Sequence, residues 1–225
     1  MMLNEILSKY NKQFSPIFLP ELNPENTFML DFSVDNPEMK DLDFHNVEEL
    51  NKYVFNKIKN AGMQYGYGGY MEDREVYRRS PLFSVSPEEA RSIHLGIDVW
   101  TEAGKTVHAP MKSIVHSFAN NNNYGDYGPT IILEHELEST NFYTLYGHLD
   151  LKSIENLYIG RPFDQGEPFC RVGNFPVNGD WPPHLHFQII SDMGDNKGDF
   201  PGVCSKSDKE KYIKICPDPL VFFSL

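Results

Sequence analysis

The sequence predicts a mainly β fold, an antiparallel sheet or compact barrel preceded by an N-terminal α/β extension. After about residue 90, runs rich in β-branched and aromatic residues follow one another, with turn-forming residues between them. Closely spaced short strands of this kind are typical of antiparallel sheets and barrels. The clearest runs are Thr106–Pro110, Ser113–Phe118, Thr130–His135 and Phe142–Tyr146.

Residues 1–89 form the predicted extension, and residues 90–225 form the main β domain with a closing C-terminal segment. Within the extension, Thr27–Phe32 has the composition of a strand. Asn46 is a suitable N-cap for a helix that ends near Asn60, because its side chain can accept a hydrogen bond from the first turn. The extension is therefore expected to pack on the main domain as a strand, a helix and a loop.

The charge and composition of the chain exclude some classes of partner. The chain has 225 residues and a net charge of −12, which would repel nucleic-acid phosphates and anionic lipid head groups. It contains neither a long apolar run of membrane-helix type nor a signal-peptide pattern. Its three cysteines lack Cys-x-x-Cys spacing, which fits a reducing compartment. We therefore expect a cytoplasmic protein without nucleic-acid or membrane partners.

Several polar or glycine-rich stretches are expected to lie outside the core. Gln64–Tyr70 lacks the residue order of a phosphate-binding loop, so we interpret it as an aromatic loop packed on the main domain. The charged stretch Glu72–Arg74 and the pair Arg78–Arg79 are expected to form solvated surface. Asn120–Pro129 is too polar for the core and is expected to overhang one end of the sheet.

Two histidines one residue apart, His184 and His186, lie in an apolar run late in the chain. Side chains alternate between faces along a strand, so both imidazoles would share one face while Leu185 and Phe187 pack behind them. A pair like this suits a metal or catalytic site, but it is also found as ordinary buried histidines. The pair alone leaves both interpretations open.

A second candidate run contains His94 and Asp98. On a helix these residues would be neighbours, but Gly96, Ile97 and Val99 favour a strand. On a straight strand the two would stand about 13 Å apart, at about 3.3 Å per residue, which is too far for one metal ion. The chain is therefore expected to bend at Gly96.

A third candidate is His148, which follows a glycine at the end of a predicted strand. Together the three runs contain four histidines and one aspartate. This set is sufficient for two imidazoles and a carboxylate on a metal ion, with two imidazoles left for proton transfer.

The order of these runs resembles the lysostaphin and LytM-type zinc metalloendopeptidases. The matching pieces are His94-x-x-x-Asp98, Tyr146-Gly147-His148-Leu149 and Pro183-His184-Leu185-His186-Phe187, and the likeness covers roughly residues 90 to 192. Gly160–Gly173 is similar to the hairpin that precedes the last motif of that family. The chain is also similar to a variant of this domain that is attached to aminotransferase-like enzymes. The resemblance implies a duplicated hybrid motif, or barrel-sandwich hybrid, that hydrolyses a peptide bond.

The resemblance also implies roles for single residues. It implies that His94, Asp98 and His186 bind one zinc ion, while His148 and His184 are catalytic and face its bound water. Which of these two is the general base stays open. The expected substrate is a peptide or a peptidoglycan fragment.

Two departures from the family pattern bear on substrate choice. The segment Asn174–Pro182 is bulkier than the short turn that is common before the last motif, and Gln188 stands where an acidic residue is frequent. Members of the family that cut cell walls are exported, whereas this chain shows no signal-peptide pattern. Its negative charge would also be repelled by anionic cell-wall polymers. The natural substrate therefore stays open.

Two rival functions are a mononuclear iron oxygenase with two histidines and a carboxylate, and a metal-binding or peptide-binding module without catalysis. The spacing of His94 and Asp98 speaks against the oxygenase, which favours His-x-Asp. We also expect part of residues 62–80 to border the cleft. No catalytic role is expected for the remaining histidines, which are His45, His108, His116 and His135.

Overall fold

The structure, a computed structural model, describes residues 3–78 and 90–225. Within these ranges the fold is mainly β, as predicted, with four short α-helices. The helices are α1 (Leu3–Tyr10), α2 (Val47–Asn60), α3 (Glu75–Arg78) and α4 (Lys209–Ile215). The strands are β1 (Thr27–Met29), β2 (Tyr65–Gly68), β3 (Arg91–His94), β4 (Ile97–Trp100), β5 (Thr106–His108), β6 (Ser113–Asn121), β7 (Gly128–Leu137), β8 (Thr140–Gly147), β9 (Pro162–Phe163), β10 (Pro168–Arg171), β11 (His184–Ile190) and β12 (Val203–Ser205).

Eight of these strands form one open sheet, in the order β1-β2-β4-β11-β8-β7-β6-β9. Strands β1 and β2 are parallel, and the other neighbours are antiparallel, so the sheet is mixed. Two further pairs, β5 with β10 and β3 with β12, lie outside it. The described strands therefore form a sheet with two edges, and not a closed barrel.

The extension contributes two strands to this sheet. The stretch that we expected to be an aromatic loop contains β2, which pairs with β4 so that Gly66 lies opposite Trp100 and Gly68 lies opposite Asp98. The loop prediction was wrong because both neighbours of β2 are distant in sequence. The tertiary structure places β1 on one side of β2 and β4 on the other, and these two strands form hydrogen bonds with the backbone groups of β2.

Helix α2 follows the prediction closely. The Asn46 side chain accepts a hydrogen bond from the backbone N–H of Glu49, and this cap begins the helix. Its buried face, Leu50, Val54 and Ile58, has the i, i+4, i+8 spacing of an amphipathic helix. These side chains belong to an apolar cluster that also contains Phe32 and Trp100. We call this set the extension cluster, with its remaining buried members Leu30, Met39, Phe44 and Val76.

The main core lies around the central strands β11, β8 and β7. Every residue of β11 is buried, and the fully buried Phe187 has its ring centroid 5.3 Å from that of Tyr146. The three cysteines are free and buried. The described residues contain no helix long and apolar enough to cross a membrane.

One buried histidine of the sheet lies apart from the candidate runs. His135 on β7 is 1% exposed; its Nδ1 lies 3.3 Å from the carbonyl oxygen of Lys112, and its Nε2 lies 2.7 Å from the hydroxyl oxygen of Thr144. Burial lowers the pKa of His135 to about 4. The ring is therefore neutral in the folded protein at neutral pH.

The neutral state of His135 predicts a contribution to the pH dependence of stability. In the unfolded chain this histidine titrates near 6.5, so between about pH 6.5 and 4 the unfolded state binds more protons. Stability therefore falls as the pH is lowered through this window. The expected difference in slope between wild type and His135→Gln is up to about 1.4 kcal/mol per pH unit, measured by denaturant unfolding at several pH values. Identical slopes for the two proteins would contradict the lowered pKa.

Candidate metal and catalytic site

The register between β4 and β11 places Asp98 beside His186. The two residues are direct partners across the antiparallel ladder, and His184 lies opposite Trp100. Opposed side chains on one face of a sheet lie within contact distance. Accordingly, Nδ1 of His186 lies 3.1 Å from Oδ1 of Asp98, and Nε2 of His184 lies 3.8 Å from the same oxygen.

His94 reaches the same place because the chain bends between β3 and β4. The bend lies at Leu95 and Gly96, as the sequence predicts, and it brings Nε2 of His94 to 3.4 Å from Oδ1 of Asp98. Gly96 is required here for space as well, since a Cβ atom at this position would lie 2.7 Å from the ring of His186. A single bend thus replaces the separation of about 13 Å expected for a straight strand.

The three residues present three ligand atoms to one point. Nε2 of His94 lies 2.9 Å from Nδ1 of His186, and both lie close to Oδ1 of Asp98. A tetrahedral zinc site with bonds of about 2.0–2.1 Å separates its ligand atoms by about 3.3–3.4 Å. The spacing of the three atoms therefore suits a small cation, and among the described residues they form a group that could hold a metal ion.

Neighbouring groups decide which ring nitrogens are free to bind. Nδ1 of His94 lies 2.9 Å from the carbonyl oxygen of Gly69, so this nitrogen carries the proton and Nε2 does not. Gln188 donates its amide N–H to the carbonyl oxygen of Pro201, so its Oε1 accepts from Nε2–H of His186 at 3.0 Å. Nε2 of His94 and, in the tautomer that Gln188 favours, the lone pair on Nδ1 of His186 converge on a carboxylate oxygen, which is the donor set of a cation site.

The charges of the site agree with this assignment. Burial, followed by the charge of Arg74, lowers the pKa of His94 to about 4, so its imidazole is neutral. Burial by itself would raise the pKa of Asp98, but His94, Arg74 and neighbouring imidazoles hold it well below its usual range. The carboxylate is therefore ionised and the ring is free to bind at neutral pH.

His148 and His184 form a second pair beside the three ligand atoms. Their ring centroids lie 4.2 Å apart, and both residues are buried. Nδ1–H of His148 donates to the carbonyl oxygen of Asn178 at 2.7 Å, and Nδ1–H of His184 donates to that of Pro182 at 2.6 Å. Burial lowers the pKa of both rings, so each has an unprotonated Nε2 that can accept a proton.

The backbone at the end of β8 is specialised to hold His148. This residue has a φ of +61°, a conformation that residues other than glycine rarely adopt. The neighbouring Gly147 leaves room for Tyr127, whose ring would lie 2.6 Å from a Cβ atom at this position. Backbone strain of this kind is found more often at functional sites than elsewhere.

Arg74 is the site residue that sequence reasoning missed. It was expected on a solvated surface, yet it is 3% exposed, and its Nη1 pairs with Oδ2 of Asp98 while its Nε donates to Glu72 at 2.7 Å. A charged run predicts solvent-exposed side chains unless the fold supplies a buried group of opposite charge. The expectation failed because Asp98 is such a group. The Arg78–Arg79 part of that prediction falls on side chains outside the described residues.

Two glycines of the extension contact this arginine, and one of them makes room for it. The Gly68 carbonyl oxygen accepts from Nη2 of Arg74 at 3.4 Å, and a Cβ atom on Gly69 would lie 2.0 Å from that nitrogen. Gly69 also has a φ of +99° and provides the carbonyl group that orients His94. The glycine-rich stretch of the extension therefore supports the site by orienting Arg74 and His94.

A cavity of about 270 Å³ opens beside these residues. Its lining includes Asp98, His148, His184 and His186, and also Arg74, Val76 and Tyr77 from the stretch that we expected to border the cleft. Gly125–Tyr127 of the predicted overhanging loop line it as well. Residues 79 and 80, which belong to the same expectation, lie outside the described residues.

The remaining histidines lie elsewhere. His45 is exposed and stacks on Tyr124, His108 contacts the carbonyl oxygen of Ile17, and His116 contacts Ser117. His135 contacts Lys112 and Thr144, as described above. These four residues are not in the group formed by His94, Asp98 and His186.

The model of peptidase family M23 matches residues 92–198. This segment is similar to peptidase family M23. It contains all five residues singled out by the sequence, whereas Gly69 and Arg74 lie before it. The M23 segment thus holds the candidate ligands and imidazoles, and the extension holds the residues that orient His94 and Asp98.

Several solved structures are similar to this chain. A zinc-containing peptidase from Vibrio cholerae is 23% identical, with a TM-score of 0.37 over 50% of this chain and 30% of that chain. The catalytic domain of lysostaphin from Staphylococcus simulans is 22% identical, with a TM-score of 0.35 over 53% of this chain and 80% of that one. The antimicrobial peptidase lysostaphin from the same organism is 20% identical, with a TM-score of 0.39 over 67% of this chain and 51% of that one. Among curated proteins, none matches this sequence.

The contacts of Gly69 predict a difference between two glycine substitutions. Gly69 and Gly104 both have positive φ, but a Cβ atom meets Arg74 at Gly69 and nothing within 4 Å at Gly104. Gly104→Ala is expected to lower the free energy of unfolding by about 1–2 kcal/mol through backbone strain alone. Gly69→Ala is expected to lower it further, because Arg74 must leave its buried position. Equal losses in denaturant unfolding would show that Arg74 is not held there.

Proposed function

We propose that this protein is a zinc-dependent metallopeptidase that hydrolyses a peptide bond. The observation that carries the proposal is the convergence of Nε2 of His94, Oδ1 of Asp98 and Nδ1 of His186, with two neutral imidazoles beside them. The likeness of residues 92–198 to peptidase family M23 supports the same reaction class. In this proposal His94, Asp98 and His186 hold the zinc ion.

Zinc, when bound, supplies a Lewis acid that polarises a carbonyl group and makes a water molecule more acidic. His148 and His184 supply the proton transfer, because each has its Nδ1–H fixed on a backbone carbonyl and its Nε2 free. An imidazole in this state can accept a proton from water and return it to the leaving amine. The geometry gives this capacity to both rings, and the assignment of the general base stays open.

Arg74 has a supporting role in the proposed site. It holds Oδ2 of Asp98, which leaves Oδ1 directed at the two histidines. Groups that orient metal ligands in this way commonly change metal affinity by 10–100-fold when they are replaced. Burial would lower the pKa of Arg74, but Asp98 and Glu72 raise it, so the guanidinium stays charged.

The substrate is proposed to be a peptide of the peptidoglycan type, by analogy with the family. The cytoplasm is the proposed location, since the three free cysteines suit a reducing environment. Cleavage of purified cell-wall fragments and of short glycine- or D-alanine-containing peptides by the zinc-loaded protein tests the proposal. Failure to cleave any of these substrates with zinc bound would favour a binding module without catalysis.

Two histidine variants separate the proposed ligands from the proposed catalytic residues. His186→Ala is expected to lose stoichiometric zinc, because it removes one of three ligand atoms. His148→Ala is expected to retain zinc and lose turnover by about 10²–10⁴-fold, the usual contribution of a general acid or base. Metal content by mass spectrometry and peptide hydrolysis measure the two effects.

Retention of one zinc ion per chain by His186→Ala would overturn the ligand assignment. Purification with iron and oxygen-dependent turnover would instead favour the rival iron oxygenase. His116→Ala, which changes a histidine outside the group, is the control and is expected to leave metal content and hydrolysis unchanged.

A charge-conserving change tests the orienting role of Arg74. Arg74→Lys keeps the positive charge but cannot contact Asp98, Glu72 and Gly68 together. Zinc affinity is expected to fall by about 10–100-fold, measured by competition with a chelating dye. Arg171→Lys, in an exposed residue whose guanidinium contacts the Gly104 carbonyl oxygen, is the matched control. Equal affinities for both variants and wild type would remove Arg74 from the site.

A further inference from the structure

The cavity beside the candidate site has two chemically different parts. One part contains the carboxylate of Asp98 and the imidazoles of His148, His184 and His186. The other part is apolar and comes from the extension cluster. Its lining residues are Phe32, Phe44, Leu50, Val54 and Val76.

Trp100 joins these two parts. Its ring stacks on His184 with centroids 5.7 Å apart, and on Phe32 with centroids 5.1 Å apart. One indole ring therefore contacts both a proposed catalytic imidazole and the apolar wall. The part of a ligand adjoining a group bound at His184 would therefore lie beside the apolar wall.

The guanidinium of Arg74, which lies beside the apolar wall, is already paired. The guanidinium of Arg74 lies 5.7 Å from the Phe32 ring centroid and 5.8 Å from that of Trp100. Its N–H groups donate to Glu72, Asp98 and the Gly68 carbonyl oxygen. A charged or strongly polar ligand group placed against Phe32 would lose water without gaining this cation as a partner.

We propose that the apolar part of the cavity is a specificity pocket for a bulky apolar side chain of the substrate, next to the bond that is cleaved. The inference rests on the proposed peptidase function and adds the substrate class. The cavity volume of about 270 Å³ lies just below the usual range for small-molecule sites, about 300–1,000 Å³. This volume suits one side chain of the leucine or phenylalanine class with its adjoining peptide group.

The pocket is a feature of this chain's extension. Its five apolar residues precede the M23 segment, which begins at residue 92. The family match therefore carries no information about this preference. A peptide with glycine on both sides of the bond would leave the pocket empty and gain none of the apolar contact.

A peptide series of the form acetyl-Gly-Gly-X-Gly-Gly-amide tests the pocket, with X as glycine, alanine, leucine or phenylalanine. Binding is measured by calorimetry on zinc-loaded His148→Ala protein, and cleavage by mass spectrometry on zinc-loaded wild type. Burial of a leucine or phenylalanine side chain is expected to tighten binding by about 10- to 100-fold relative to glycine. The cleaved bond is expected to adjoin X.

Two substitutions to phenylalanine locate the effect. Val76→Phe places a ring in the cavity and is expected to abolish the preference for the phenylalanine peptide over the glycine peptide. Ile58→Phe changes a residue of the same extension cluster that does not line the cavity, and is expected to keep the preference. Thermal unfolding checks that both variants fold. If Val76→Phe does not fold, the wild-type peptide series still decides the question.

The outcomes separate the pocket from the proposed function. Equal binding of all four peptides, or cleavage without preference for X, would overturn the pocket and leave the peptidase proposal standing. Preferential binding of the phenylalanine peptide without cleavage would support the pocket and overturn the peptidase proposal. A preference that survives Val76→Phe and is lost in Ile58→Phe would overturn the location of the pocket.

Discussion

The ion pair between Arg74 and Asp98 joins the extension to the M23 segment at the centre of the candidate site. Both side chains are almost completely buried, and a buried charge without a partner destabilises a protein by several kcal/mol. Each residue therefore depends on the other for its position. The pair also divides the carboxylate of Asp98, since Oδ2 is held by Arg74 and Oδ1 remains directed at His94 and His186.

The rest of the site is arranged around this carboxylate by backbone features. The register of β4 with β11 places His186 beside Asp98, and the break at Gly96 brings His94 to the same oxygen. Carbonyl groups of Gly69, Asn178 and Pro182 then fix the proton positions on three of the four imidazoles. Gly69, which directly follows β2, serves both the ion pair and the orientation of His94.

The extension has a second relation to the site through its apolar cluster. Helix α2 packs its buried face against Phe32 and Trp100, and this packing also forms one wall of the cavity. The same residues thus contribute to the stability of the extension and to the shape of the space beside the imidazoles. A change in this cluster is coupled to the site through Trp100, whose ring stacks on both His184 and Phe32.

Local patterns in the sequence determined the mainly β class, the capped helix after Asn46, the bend at Gly96 and the likeness of residues 92–198 to peptidase family M23. These features depend on neighbours within a few positions or on a short ordered set of motifs, so they can be predicted from the sequence. The position of β2 and the burial of Arg74 were decided only by the tertiary structure. Strand β2 pairs with strands remote in the chain, and Arg74 pairs with a carboxylate 24 positions away. From the sequence, a charged run and a glycine-rich run are both predicted to be solvent-exposed loops. In the fold, Asp98 is the buried partner of Arg74, and β1 and β4 accept and donate the backbone hydrogen bonds of β2.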